Sequence, residues 1–196
     1  MPRPGGKKET DSMNSKKITE RYVAFLRGIN VGGHHTIPMA DLIKVLEKLD
    51  YENVVTILNS GNVIFDTIIN NPEDLEKTIS SKLESTFGFP VPTVVRKSKM
   101  IYQLFKEAPF HNVTVTKDIR LYVSFLKKNA KSDLELPWAN SDNSYQIIGI
   151  KDKTILSILD VSVSKTPKAM GALEKSFGRD ITTRNWKTIE RIIKKL

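Results

Sequence analysis

The chain has 196 residues, no cysteine and a formal net charge of +9. Its apolar content of 39% and charged content of 27% are those of an ordinary globular protein. The lack of cysteine excludes disulfides, thiolate metal sites and a cysteine nucleophile, and no apolar run approaches the roughly 20 residues that a helix needs to span a bilayer.

The charge is unevenly placed. Residues 1–19 hold five Lys or Arg against two Asp or Glu, and residues 165–196 hold nine against three, so the two ends account for the whole excess. Such basic segments suit either a polyanion partner or a solvated helix face. The start, Met1 to Glu9, has no apolar stretch of the kind a secretory signal carries, and a cytoplasmic location is expected. Residues 1–18 are rich in Lys, Gly, Pro and Ser and read as a disordered basic arm, with Met13 as an alternative start.

Tyr22–Leu26 is an apolar run bounded by Arg27 and Gly28 and predicts a buried strand. Pro38 opens a helix whose Met39, Leu42, Ile43, Leu46 and Leu49 share one face. Asn53–Leu58 and Val63–Phe65 are strand-like, with a hairpin turn at Asn59–Asn62. Pro72 opens a second helix carrying Leu75, Ile79, Leu83 and Phe87, and Gly88 ends it. Val91–Arg96 is a strand whose Pro90 and Pro92 place it at a sheet edge. A connector with one helix, Met100 to Glu107, follows and closes at Pro109.

The pattern then returns. Tyr122–Lys127 aligns with Tyr22–Arg27 without a gap, Ser144–Ile150 and Thr154–Leu159 are strand-like, and Pro167 precedes a helix ended by Gly178. Ile181–Thr183 predicts a last strand, and Asn185 is placed to cap a final helix carrying Ile189, Ile192, Ile193 and Leu196. The simplest account is an α+β protein of two tandem ferredoxin-like (βαββαβ) subdomains with antiparallel sheets plus a C-terminal helix, produced by internal duplication. The stretches are a basic arm at 1–19, a first subdomain at 20–97, a helical connector at 98–118 and a second subdomain at 119–196.

Three motifs resemble an uncharacterised, mainly bacterial family, domain of unknown function 1697: Leu26-Arg27-Gly28-Ile29-Asn30-Val31-Gly32-Gly33, Ser60-Gly61-Asn62-Val63 and Thr182-Thr183-Arg184-Asn185-Trp186-Lys187-Thr188. The likeness runs over about residues 21–196, with Lys187 standing where Asn is expected. It implies duplicated ferredoxin-like subdomains and no assigned activity.

In a ferredoxin-like unit the Arg27–Gly33 loop and the Asn59–Asn62 turn emerge at the same end of the sheet. Gly28, Gly32 and Gly33 permit positive φ and close approach of a ligand to the backbone. Arg27 is a bidentate donor for phosphate or carboxylate, and successive backbone N–H groups can form an anion-binding concavity. The candidate ligand-binding set is therefore Arg27, Gly28, Asn30, Gly32, Gly33, Ser60, Gly61, Asn62, Arg184 and Asn185, facing a small anionic or phosphorylated ligand such as a nucleotide. The competing reading makes the glycines turn formers, Arg27 a satisfied surface residue, Asn185 a helix cap and Trp186 a packing residue.

The loop lacks the Gly-Lys-Ser/Thr of a nucleotide-binding P-loop and the spacing of a dinucleotide fingerprint, so no cofactor is expected. His34 and His35 have no accompanying ligand set, His111 stands alone, and no metal site is expected. No nucleophile or general base stands out, which leaves catalysis open. The alternatives are a nucleic-acid-binding module using the basic C-terminal segment, though without the stacking aromatics of an RNA-recognition sheet, and a scaffold protein. The oligomeric state stays open.

Overall fold

The computed structural model describes residues 18–129 and 134–196. The expected arm lies outside the described residues up to Lys17, and Thr19 already belongs to the first strand. In chain order the elements are β1 (Thr19–Leu26), α1 (Met39–Glu47), β2 (Glu52–Ile57), β3 (Asn62–Ile68), α2 (Pro72–Phe87), β4 (Thr93–Lys97), α3 (Ser98–Lys106), β5 (Ile119–Leu126), β6 (Trp138–Ala139), β7 (Tyr145–Lys151), β8 (Thr154–Asp160), α4 (Thr166–Phe177), β9 (Ile181–Asn185) and α5 (Trp186–Ile193). The strands make two antiparallel sheets, ordered β2-β3-β1-β4 and β6-β7-β8-β5-β9, and neither closes into a barrel.

Local signals explain most boundaries. Asn71 accepts the Glu73 N–H at 3.1 Å with Pro72 at the first helical position, so α2 starts there, and Gly88 ends it in the left-handed conformation at φ 79°. Asn185 caps α5 by accepting the Lys187 N–H at 3.0 Å. Gly178 ends α4 with a positive φ but an extended ψ, so that the chain turns directly into β9.

β1 is buried from Tyr22 to Leu26 because both faces of its sheet are covered. Tyr22, Ala24 and Leu26 pack against Leu42 and Leu46 of α1 and Leu75, Ile79 and Leu83 of α2. Full burial of each such side chain is worth roughly 1.5–3 kcal/mol. Val23 and Phe25 point the other way and join Leu121, Val123 and Phe125 of β5 in a middle core that includes Ile101 of α3 and Trp186, Ile189 and Ile192 of α5. The rings of Phe25 and Phe125 stack at 4.4 Å, where the inner faces of the two sheets meet. The outer face of the second sheet, with Tyr122, Leu126, Tyr145 and Leu159, packs on Ala169 and Leu173 of α4.

Equivalent pairings recur in the two sheets. Tyr22 lies opposite Phe65 and Lys97, as Tyr122 lies opposite Ser157 and Asn185. Leu26 N–H donates to the Gly61 carbonyl at 2.7 Å, and Leu126 N–H donates to that of Lys153 at 2.9 Å. In each sheet a helix leaves the edge strand at once, α3 after β4 and α5 after β9. The element order nevertheless differs from the expected repeat. Among the described residues no helix lies between β5 and β7; β6 and a polar turn stand there instead, with the Asn140 side chain accepting the Tyr145 N–H at 2.9 Å. Leu134 and Trp138 pack on the outer core from this stretch, and residues 130–133 lie outside the described part.

Candidate functional site

The loop after β1 and the β2–β3 turn do come together. Asn30 binds them from within: its side chain donates to the carbonyls of Asn59 at 2.8 Å and Ile37 at 3.1 Å and accepts the Ile37 N–H at 2.8 Å. Gly61 is required there, since at φ +74° a Cβ would sit 2.7 Å from that of Leu26. Gly28, Gly32 and Gly33 also have positive φ, and the His35 ring stacks on Phe89 at 4.4 Å.

The two arginines of the predicted set reach across to the opposite half of the protein. Arg27 donates to Glu174 Oε1 at 2.6 Å and to the carbonyls of Arg179 and Ile181, tying the end of β1 to α4 and the loop before β9. Arg184, on β9, donates from Nε to Asn62 Oδ1 and from Nη2 to the carbonyls of Leu26, Ser60 and Gly61. Its Nη1 donates to the Thr183 carbonyl at 2.9 Å, and the guanidinium lies over the Phe25 ring at 5.7 Å. Burial pulls its pKa down to about 10. Asn62 is itself fully buried and donates to the Ile57 carbonyl at 2.8 Å and to Ser60 Oγ at 3.0 Å. Of the predicted set, Arg27, Gly28, Ser60 and Arg184 line a recess of about 190 Å³. Asn30, Gly32, Gly33, Gly61, Asn62 and Asn185 do not line it.

The sequence reasoning missed the counterpart of Arg184. Arg96 of β4 lies opposite Val23 as Arg184 of β9 lies opposite Val123. Arg96 donates from Nη2 to the carbonyls of Leu126 and Lys153, and from Nη1 to that of Val95 at 2.8 Å, and it lies over the Phe125 ring at 5.8 Å. Each arginine thus seals the end of the central strand and the hairpin of the other sheet.

The two seals differ at one atom. Phe25 pairs with Asn62, and Phe125 pairs with Thr154, so Thr154 stands where Asn62 accepts the Arg184 Nε–H. Among the described residues no acceptor meets Arg96 Nε, although Arg96 is only 5% exposed. The hairpin beside it is also shorter: Asp152 and Lys153 alone link Lys151 to Thr154, whereas Leu58, Asn59, Ser60 and Gly61 link Ile57 to Asn62. Ile57 is buried in the middle core, while the corresponding Lys151 reaches out to Glu107 at 2.9 Å. A cavity of about 640 Å³ lies here, walled by α2, β4 and α3 from one half and by β5 and the β7–β8 hairpin from the other.

Arg96 is not fully neutralised in this setting. Glu76 Oε1 lies 3.5 Å from its Nη1 and accepts the Val95 N–H at 2.9 Å. Burial nevertheless raises the Glu76 pKa and lowers that of Arg96, so desolvation outweighs their attraction. At the cavity mouth Lys153 pairs with Glu73 at 2.7 Å. Comparing the two hairpins and the two strand-borne arginines in the sequence would have pointed to this place; searching for glycine-rich loops could not.

The fold and the paired arginine seals define a two-sheet α+β protein organised around the junction of its halves. The chain belongs to the family described as "Protein of unknown function (DUF1697)", whose model matches residues 19–155. The chain is also similar to the solved structure of conserved bacterial protein SP0830 from Streptococcus pneumoniae, at 26% identity and a TM-score of 0.57, over 89% of this chain and 97% of that one. No curated protein matches it. No helix among the described residues is long and apolar enough to cross a membrane.

Proposed function

We propose that this protein binds a small anionic molecule in the cavity beside Arg96, at the junction of two duplicated ferredoxin-like halves. The observation that carries the proposal is the buried Arg96, which lines a cavity of about 640 Å³ and whose Nε–H has no acceptor among the described residues. A buried donor left unmet costs about 1–3 kcal/mol, and an anionic ligand removes that cost. The volume is that of small-molecule sites in general, roughly 300–1,000 Å³. The recurring registers of β1 and β5 support the duplication.

The glycine loop is a second place for the same class of ligand, favoured by the two arginines that line its recess. Thermal unfolding with a panel of phosphate, nucleotides and alkyl and aryl carboxylates tests both. A ligand at about 100 times its Kd stabilises by about 2.7 kcal/mol, which for a chain of this length is roughly 5–10 °C. With the ligand at Arg96, T154N abolishes the shift and R27A leaves it. The reverse pattern moves the ligand to the glycine loop. No shift with any anion refutes ligand binding of this class.

A further inference from the structure

Resting on that reading, we infer that the ligand is a monocarboxylic acid with an extended apolar body, and not a phosphorylated polar metabolite. Two features of the cavity carry this. The first is the number of donors within reach. Arg96 offers little: Nη1 and Nη2 already donate to Val95, Leu126 and Lys153, Glu76 lies 3.5 Å from Nη1, and Nε is the one nitrogen with no acceptor among the described residues. Of the lysines on the lining, Lys151 and Lys153 are paired with Glu107 and Glu73, and Lys99 lies 3.5 Å from Glu20. A phosphate dianion carries more charge and more acceptor oxygens than one such donor can satisfy, and burying it there leaves oxygens stripped of water without partners. A carboxylate needs far less: a side-chain shift that uncovers Arg96 Nε lets one oxygen accept from it, while the other stays on the solvent-open side of the cavity.

The second feature is the wall. Val95, Met100, Leu104, Phe125 and Leu156 line the cavity over most of its surface. Those five side chains give a sugar or a nucleoside hydroxyl no partner, whereas an alkyl chain or an aryl ring laid on them gains about the full transfer free energy of its buried groups. Met100 is 47% exposed and flexible, and it suits a variable apolar body. The recess beside Arg184 is smaller, about 190 Å³.

Isothermal titration of the full-length protein with acetate, butanoate, hexanoate and octanoate, and with 1-octanol and inorganic phosphate, tests the inference. Affinity is expected to rise about four-fold with each added methylene, with phosphate and acetate weakest and 1-octanol at least ten-fold weaker than octanoate. Phosphate binding as tightly as octanoate and abolished by T154N rejects the acid class while leaving anion binding at Arg96 in place. Equal binding of 1-octanol and octanoate removes the acid head from the inference. Absence of binding by every anion overturns both readings. M100E, at a half-exposed position that leaves the fold intact by circular dichroism, is expected to weaken octanoate at least ten-fold through repulsion, and unchanged affinity places the chain elsewhere.

Discussion

The Arg184 and Arg96 junctions are built from the same parts and end in opposite states. In each, an arginine on an edge strand crosses to the other sheet, lies over a phenylalanine and donates to the carbonyl at the end of the central strand. At Arg184 Asn62 meets Nε, the end of β1 and the four-residue turn meet Nη2, and the Thr183 carbonyl meets Nη1. At Arg96 a shorter turn and Thr154 leave one nitrogen unmet beside an open cavity. The difference teaches that a buried guanidinium serves as a structural pin when its hairpin reaches it, and is left with binding capacity when the hairpin stops short.

The largest effect is expected from R184M. It removes a cation from the carbonyls of Leu26, Ser60 and Gly61 and from Asn62, and the buried acceptors among them cost about 1–3 kcal/mol each when unmet. A loss of about 3 kcal/mol or more in urea unfolding is expected. A loss below about 1 kcal/mol would show that the seal is dispensable and would end the comparison.

Exchanging the residues that separate the junctions comes next. N62T should recreate the open state at Arg184 and cost about 1–3 kcal/mol, since Asn62 also donates to Ile57 and Ser60. T154N should close the state at Arg96 and gain about 1 kcal/mol while removing ligand binding. Both are read from chemical denaturation midpoints, and shifts of the same sign in the two variants would contradict the equivalence of the positions.

The smallest effect concerns charge. The Glu76 carboxyl titrates above its usual 4.5 because burial outweighs its hydrogen bond from Val95 and its attraction to Arg96. As pH falls towards that raised value Glu76 loses its charge and Arg96 loses its counter-charge, so affinity for a carboxylate should rise until the ligand itself is protonated. Stability follows the same sign, because the folded state binds this proton more tightly than the unfolded chain does. E76Q, which keeps an acceptor for the Val95 N–H, should bring the tighter binding to pH 7, by about three-fold to ten-fold. Unchanged affinity, with a pH profile like that of the parent, would separate Glu76 from the site.

Much of the fold was legible in local patterns. The buried run Tyr22–Leu26, the Asn185 cap and the Pro72 start are short-range signals, and each falls where the sequence placed it. The crossover from β5 was less legible, since the echo at Tyr122–Lys127 invited a full repeat and the described residues of the intervening segment form no helix. The predicted site was legible as a place and not as a set of partners. Arg27 meets Glu174, and Arg184 meets Leu26 and Asn62, across most of the chain length, and no spacing rule encodes such pairs. Arg96 and Thr154 carry no motif at all, and their significance appears only when one half is laid against the other.

The exchange of arginines between the halves also bears on how the molecule comes apart. Were the second half to melt alone, the carbonyls of Leu26, Ser60 and Gly61 would lose Arg184; were the first to melt, those of Leu126 and Lys153 would lose Arg96. Neither half has a free energy of its own to report. The two sheets should therefore form a single cooperative unit, with the amide protons of β1 and β5 exchanging at matched rates through the same global opening.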